Sequence, residues 1–372
     1  MAEMIGVDIG ASAVRVVAVA GVDSRGMAIV TKLGIAEVAP GAIVAGKIRS
    51  PEEVSVAMVH AFKEARIRRR YGFILGIESP DIALSNITLP ASLKKFERNI
   101  AIRTMNKPIS PTFSIGDSAL STSLFESVEL NKVIMNTVSV AAALQSEVNM
   151  LKSVCALAKA TPKAIDLTGA ALLRSYIRAN PEANEIGTVV SIGASRTTIA
   201  TREGMYLRSI RTVAGAGSEI TRAIMSVTGE PFEIAEEEKV KNAVSKGATK
   251  LTSSYAMDES FSMDGSSPVD RAINNSVDLL VDSIAQAIDS DSNIYGNISQ
   301  GVTLVGGTAL MRGLKEKLSQ RIGIPVSIGK PWAEIERSRA HAHLFANGGK
   351  VDPRLLLAIG PAVGLALWKD PS

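Results

Sequence analysis

The sequence is poor in the residues that build most metal and redox sites. It holds a single cysteine, Cys155, and three histidines among 372 residues. That excludes an intramolecular disulfide and a cysteine-cluster metal site, and fits a reducing compartment such as the cytoplasm. His341 and His343 would chelate a metal only from a strand with both rings on one face, and their surroundings read as a polar loop. Aromatic residues make up 4%, too few for the stacking platforms of nucleic-acid binding, and a net charge of +4 is modest for this length. No run of about 18 uncharged apolar residues occurs, so no membrane span is expected. The opening residues lack the basic-then-apolar pattern of a signal peptide, so none is expected either.

What is present is apolar and globular: 46% hydrophobic residues against 21% charged, in a chain long enough for two or more domains. Met4 to Val19 strings two β-branched runs around Gly10-Ala11-Ser12, the pattern of a hairpin. Small residues in that turn let backbone amides face an anion. Asp8 ends the first run, where it would hold a metal-bound water beside a phosphate, and Arg15 returns a positive charge to the same end. A single such segment is equally well a plain hairpin. A second copy shifts the balance: Val190-Ser191-Ile192-Gly193-Ala194-Ser195 repeats Val7-Asp8-Ile9-Gly10-Ala11-Ser12 with serine in place of aspartate. Two such hairpins imply two related domains facing each other across a cleft. A third glycine turn, Gly306-Gly307, follows the buried run 302–305 and is expected to lead into a helix whose N-terminus favours an anion.

Between these signals the chain alternates strands and helices. Ser50-Pro51-Glu52-Glu53 opens a helix by capping, proline at the first position and acids in the first turn. It ends in Arg66-Ile67-Arg68-Arg69-Arg70, which reads as a solvated basic cap or as a contact for acidic lipid or a partner. Buried strands are expected at 73–77 and 83–89. From 91 to 160 a helix, a loop-rich stretch at 108–121, a strand at 133–143 and a helix at 145–158 predict a compact insertion. Residues 163–169 return to the sheet. Glu236 and Lys239 share a helix face and read, on spacing alone, as an ordinary surface ion pair. Residues 246–268 have no period and read as a loop, and 270–289 as an amphipathic helix. A closing helix, 355–368, carries Gly360, Pro361 and Gly364, whose glycines read as close packing or as room for a neighbouring helix.

Hairpin, hairpin and strand–glycine turn, in that order, resemble the phosphate-1, phosphate-2 and adenosine motifs of the actin, sugar-kinase and heat-shock-chaperone ATPase superfamily. Within it the chain is most similar to the PilM family of type IV pilus assembly, and behind that to the cell-division protein FtsA. Val7-Asp8-Ile9-Gly10, Ile87-Thr88-Leu89-Pro90, Ala164-Ile165-Asp166-Leu167, Ala235-Glu236-Glu237-Glu238-Lys239 and Gly323-Ile324-Pro325-Val326 carry the likeness. It implies an α/β, actin-like ATPase fold: two related ribonuclease-H-like domains around a nucleotide cleft, with an inserted small α+β subdomain. Residues 1–180 with 340–372 would form the first domain and 181–339 the second. The stretch 91–160 would be the partner-binding insertion, and 228–300 a helical subdomain on the nucleoside side.

The resemblance also implies roles. ATP with Mg2+ would be held by Gly10, Ala11, Ser12 and Arg15, by Gly193, Ala194 and Ser195 from the other domain, by Glu236 and Lys239 beside the nucleoside, and by Gly306 and Gly307 beside the adenosine. Asp8 would order the metal through water and Asp166 would position the attacking water. The implied partner is the N-terminal cytoplasmic peptide of a PilN-like inner-membrane protein, with the pilus assembly ATPase and a second copy of the chain as further candidates. That places the protein in the cytoplasm, peripheral to the inner face of the cell membrane. Ser191 departs from the family's usual aspartate, so turnover is expected to be slow at most. Two alternatives stay open: an FtsA-like scaffold, although Trp368 to Ser372 is too short for a membrane-targeting helix, and a sugar or acetate kinase, for which Asp166 alone is thin support.

Overall fold

The computed structural model describes residues 3–105, 114–176, 185–204, 206–213, 215–244, 267–296, 299–331, 333–335 and 353–369. Of the loop expected over 246–268, residues 246–266 lie outside them, as does the His341/His343 pair; Ser267 and Pro268 open a helix instead.

The chain begins with β1 (Met4–Ile9), β2 (Ala13–Val22) and β3 (Ala28–Glu37), an antiparallel meander. Both faces of β2 are covered. Val14 and Val16 enter one core cluster, and Val17 and Val19 another on the opposite face, which is why the strand reads as a continuous apolar run rather than an alternation. A short pair, β4 (Ile43–Val44) and β5 (Lys47–Ile48), precedes α1 (Pro51–Glu64). Ser50 caps α1 as its sequence predicts, its Oγ accepting from the Glu53 amide at 3.4 Å, and Val54, Met58 and Phe62 turn inward. Next, β6 (Phe73–Ile77) pairs parallel to β1.

The expected insertion divides differently from its sequence pattern. Strand β7 (Ile82–Pro90), helix α2 (Lys95–Thr104), β8 (Ser118–Leu130) and β9 (Val133–Leu144) form a three-stranded sheet in the order β7-β9-β8, with α2 packed on it through Ile102. The anticipated loop-rich stretch is thus an edge strand from Ser118 on, and 106–113 lies outside the described residues. Helix α3 (Gln145–Leu157) does not belong to this unit. Its Leu151, Val154 and Cys155 are buried with α1 in the core cluster on one face of the first sheet. Strand β10 (Pro162–Leu167) then pairs parallel to β6, and α4 (Thr168–Tyr176) leaves the sheet.

The second half repeats the plan. Strands β11 (Ile186–Ile192), β12 (Thr197–Glu203) and β13 (Tyr206–Val213) form another antiparallel meander. Helices α5 (Gly217–Thr228), α6 (Phe232–Val244) and α7 (Pro268–Tyr295) follow. Ser267 caps α7 by accepting from the Asp270 amide at 3.0 Å. Strand β14 (Gly301–Val305) pairs parallel to β11, and after α8 (Leu314–Ile322) β15 (Val326–Ile328) pairs parallel to β14. The two sheets therefore share order and direction: β3-β2-β1-β6-β10 in one, β13-β12-β11-β14-β15 in the other. The duplication seen in two hairpins extends to whole sheets. Strand β16 (Ala333–Ile335) adds to β3 as an edge that the sequence pattern did not suggest.

Helix α9 (Pro353–Ala366) returns to the first sheet and packs on α4 and β1. Its glycines permit this. A Cβ on Gly364 would collide with the Ala171 carbonyl, and one on Gly360 with the Tyr176 ring, so both positions serve the close packing read from the sequence. Pro361 has no N–H to give to the carbonyl of Leu357, one turn back. Tyr176 Oη fills that vacancy, donating to Leu357 O at 2.8 Å. The pair α4–α9 lies between the two sheets, with Leu172, Tyr176 and Leu357 meeting Val189, Ala200 and Ile210 of the second sheet in one buried cluster.

Candidate functional site

The twin hairpins have the same turn. The Gly10 amide donates to Ala13 O at 3.0 Å, and the Gly193 amide to Arg196 O at 2.9 Å. Both glycine N–H groups are therefore spent inside their turns. Ala11 and Ser12 in one turn, and Ala194 and Ser195 in the other, line the cleft beside those glycines, and their amides are the ones left for an anion by the glycine bonds. The two turns line one cleft of about 290 Å³, together with Asp8, Arg15, Glu236, Lys239, Gly306 and Gly307, a size near the lower end of ligand pockets. Every residue expected on the phosphate, metal or nucleoside side is in that set.

Asp166 is not. It pairs instead with Arg174 of α4, whose Nε donates to Gly364 O at 2.8 Å. This ties α4 to α9 and leaves the carboxylate engaged away from the cleft. Thr168, at the start of α4, is the residue of that segment which lines it.

Asp8 and Arg15 face each other across the first hairpin, with Nη1 to Oδ2 at 3.2 Å. Asp8 is 6% exposed. Burial pushes its carboxyl up to about 6, only partly countered by Arg15, and the Glu78 charge pushes the same way. In the second hairpin the equivalent pair is Ser191 and Thr198. The Thr198 hydroxyl donates to Glu78, which follows β6 and lines the cleft. Sequence reading missed Glu78, although its place at the carboxyl end of a buried parallel strand, where ligand groups of α/β sheets gather, was a usable signal.

The Glu236/Lys239 pair is not an ordinary surface bridge. Lys239 is 7% exposed, and its ammonium donates to Glu236 Oε2 at 2.6 Å, Thr221 Oγ1 at 3.0 Å and Gly217 O at 3.1 Å. All three donors are used, and burial lowers its pKa despite the Glu236 charge. Lys239 thereby fastens α6 to the first turn of α5. That turn holds the second hairpin in place, with the amides of Gly217 and Ser218 donating to Gly193 O at 3.0 Å and Ala194 O at 2.7 Å.

Gly306 takes φ 88°, and a Cβ there would strike the Ile192 carbonyl; only glycine lets this turn lie against the end of β11. The expected helix does not start at the glycines. A 3-10 turn over Gly307–Leu310 intervenes before α8, and Thr308 Oγ1 donates to Gly193 O at 3.2 Å. Leu357, Ala358 and Pro361 of α9 close one wall.

The arrangement suits a ligand with an anionic end between the two turns and a less polar end toward α6 and Gly306. Among the described residues no group of three or more His, Cys, Asp or Glu side chains is placed to hold a metal. A Mg2+ ion keeps most of its waters and needs one or two carboxylates plus phosphate oxygens. Asp8 and Glu78, both lining the cleft, fit that lesser demand for a cation carried in on a phosphate ligand.

A family model described as type IV pilus assembly protein PilM matches residues 6–367. No curated protein matches the chain. Among solved structures, the PilM-PilN type IV pilus biogenesis complex is 21% identical over 98% of this chain and 98% of that one, with a TM-score of 0.75. Ethanolamine utilization protein EutJ from Carboxydothermus hydrogenoformans is 16% identical over 99% of this chain and 90% of that one, with a TM-score of 0.49. The first of these shows the fold; the second lies too far in shape to add to it.

Proposed function

Because the chain belongs to the PilM family of type IV pilus assembly proteins and has the family's actin-like fold, we propose that it is an ATP-binding scaffold of a type IV pilus or type II secretion inner-membrane platform. The observation that carries the nucleotide half of this reading is the meeting of both hairpin turns with Glu236, Lys239 and Gly306 in one cleft. Ala11, Ser12, Ala194 and Ser195 would cradle phosphates from two sides, with Arg15 beside them. Lys239, with its donors used internally, would set the position of the nucleoside wall rather than bind the ligand. Bound Mg2+ would neutralise phosphate charge, with Asp8 and Glu78 orienting its waters. Asp166 is paired with Arg174 and does not line the cleft, and Ser191 supplies no carboxylate, so hydrolysis is slow or absent and the nucleotide stabilises a conformation.

The partner half of the reading takes the solved PilM-PilN complex as its guide: a PilN-like membrane protein would dock through its N-terminal cytoplasmic peptide. Among the described residues, β8 is an outer strand of the inserted sheet, bonded on one side to β9, and an extended peptide can add to such an edge. Recruitment by that peptide would hold the chain at the inner face of the membrane; no helix among the described residues is long and apolar enough to cross it.

The test is fluorescence anisotropy of a labelled N-terminal peptide from the genomically neighbouring PilN-like protein. The full chain should bind it. A variant with residues 82–144 replaced by a short linker, which keeps α3 in the core, should lose the peptide while ATP still raises its melting temperature. Undiminished peptide binding by that variant would remove the insertion from the docking site.

A further inference from the structure

The end of the first sheet remote from the cleft carries a basic surface that the nucleotide and peptide readings do not use. Strands β6 and β10 run parallel from it toward the cleft. Strand β6 has five residues, so roughly 17 Å of strand separate the two ends. Helices α1 and α3 both terminate at this end, and they terminate alike. After α1 the Arg66 amide bonds to Lys63 O and the Ile67 amide to Phe62 O; after α3 the Lys159 amide bonds to Ala156 O and the Ala160 amide to Cys155 O. Both are Schellman endings, whose left-handed residue is normally glycine because a Cβ costs energy there. Here those residues are cations, Arg66 at φ 55° and Lys159 at φ 51°.

The helix dipole favours a cation at each ending, but it does not reach the rest of the patch. Arg68, Arg69 and Arg70 follow Arg66 after Ile67, and Lys63 lies three residues before it. Arg69 donates to Ala158 O, joining the two endings into one surface. None of these cations forms an ion pair among the described residues; Glu64, beside Lys63 and Arg66, accepts from the Ile35 amide at 2.7 Å and keeps its charge at the edge of the patch. Apolar groups are interleaved. Tyr71 is 52% exposed and Leu157 is 50% exposed, and Trp368 lies beside Lys163, whose Nζ sits 5.9 Å from its ring.

We propose that this face rests on an anionic phospholipid surface. A run of cations without ion-pair partners, mixed with the exposed side chains of Tyr71 and Leu157, is the composition of an interfacial contact. Cations draw to the acidic leaflet, while the exposed tyrosine and leucine settle at headgroup depth and the half-buried Trp368 borders them. A solvated helix cap accounts for a cation at each ending, but not for the exposed Tyr71 and Leu157 or for the run Arg68, Arg69 and Arg70 beyond it. The inference leans on the preceding reading in one respect: a membrane-protein partner is what brings the chain close to a bilayer. Lipid contact would then fix which way the cleft and the inserted sheet face.

Co-sedimentation of the full chain with phosphatidylcholine vesicles, with and without phosphatidylglycerol, tests this without any partner present. Wild type should sediment with the anionic vesicles only and be released as salt rises. At about 1 kcal/mol per basic residue near an anionic surface, roughly fivefold in binding, Arg68→Gln with Arg70→Gln should weaken retention about 30-fold. Arg66→Gly with Lys159→Gly should also weaken retention while keeping or raising the melting temperature, since glycine relieves the backbone; that excludes unfolding as the cause of lost binding. Equal retention on both vesicle types, or unchanged retention of the Arg68/Arg70 variant, would overturn the proposal. So would capture of a polyglutamate peptide with no vesicle binding, which would make the occupant an acidic protein segment. Vesicle binding with no affinity for the partner peptide would overturn the docking reading and leave this one standing; the opposite result would do the reverse.

Discussion

Thr198 of the second sheet donates its hydroxyl to the carboxylate of Glu78, which follows β6 of the first. Thr198 is also the cross-strand partner of Ser191, the position where the duplicated hairpin lacks its aspartate. Glu78 therefore brings a carboxylate, from the opposite sheet, to the neighbourhood of the missing one.

Changing either partner should be visible in metal-dependent binding. Loss of a group that orients a metal's waters commonly costs about 10- to 100-fold in affinity or activity. Glu78→Gln keeps an acceptor for Thr198 but loses the charge, and should weaken ATP binding by roughly tenfold in Mg2+ and little in EDTA. Ser191→Asp should shift it the other way. Titration calorimetry under both conditions reads this, and identical Mg2+ dependence in all three proteins would mean that neither position meets the metal.

Asp8 gives the cleft a pH response. Burial holds its folded-state pKa near 6 against an ordinary value of 3.8. Between these values the unfolded chain has released its proton and the folded chain has not, so this group's contribution to stability falls as pH rises from 3.8 to about 6. Ligand binding runs opposite. Below about 6 Asp8 becomes neutral and cannot orient a cation's waters, so Mg2+-dependent ATP affinity should decline as pH drops through that value. Asp8→Asn should bind more weakly at neutral pH and show no such decline. An unaltered pH profile in Asp8→Asn would exclude the carboxyl as its source.

The Tyr176–Leu357 contact predicts a coupled pair of substitutions. Tyr176→Phe leaves buried Leu357 O without the donor that replaces the missing Pro361 N–H, and should cost about 1–3 kcal/mol of stability. Pro361→Ala restores a helical N–H to the same carbonyl. The double variant should therefore recover part of the loss, and denaturant melts of the four proteins form the cycle. Strict additivity would show that the carbonyl is satisfied in some other way.

The local and repeated features were legible in the sequence. Two near-identical hairpins, the Ser50 cap and the apolar stripe of α1 are short-range patterns, and the twin sheets followed from them. Features that depend on distant packing were not. Strand β8 follows residues whose composition reads as loop. Helix α3 follows the inserted strands in sequence, but its Leu151 and Val154 are claimed by α1. Asp166 lies on the strand end where the resemblance implies a catalytic carboxylate, but the fold pairs it with Arg174 and leaves Thr168 to line the cleft. Lys239 looked like a surface residue because spacing along α6 says nothing of α5, which covers it.

The central claim is that both hairpins grip one nucleotide, and titration calorimetry of the full chain with Mg2+-ATP tests it most directly. A Cβ on Gly10 would stand 2.9 Å from Arg15 Nη1 and one on Gly193 3.1 Å from Arg196 O, so valine at either position disturbs a turn that lines the cleft. The account predicts one ATP bound per wild-type chain, and at least a tenfold loss of affinity in Gly10→Val and in Gly193→Val alike. No binding by wild type, or wild-type affinity in either variant, would contradict it.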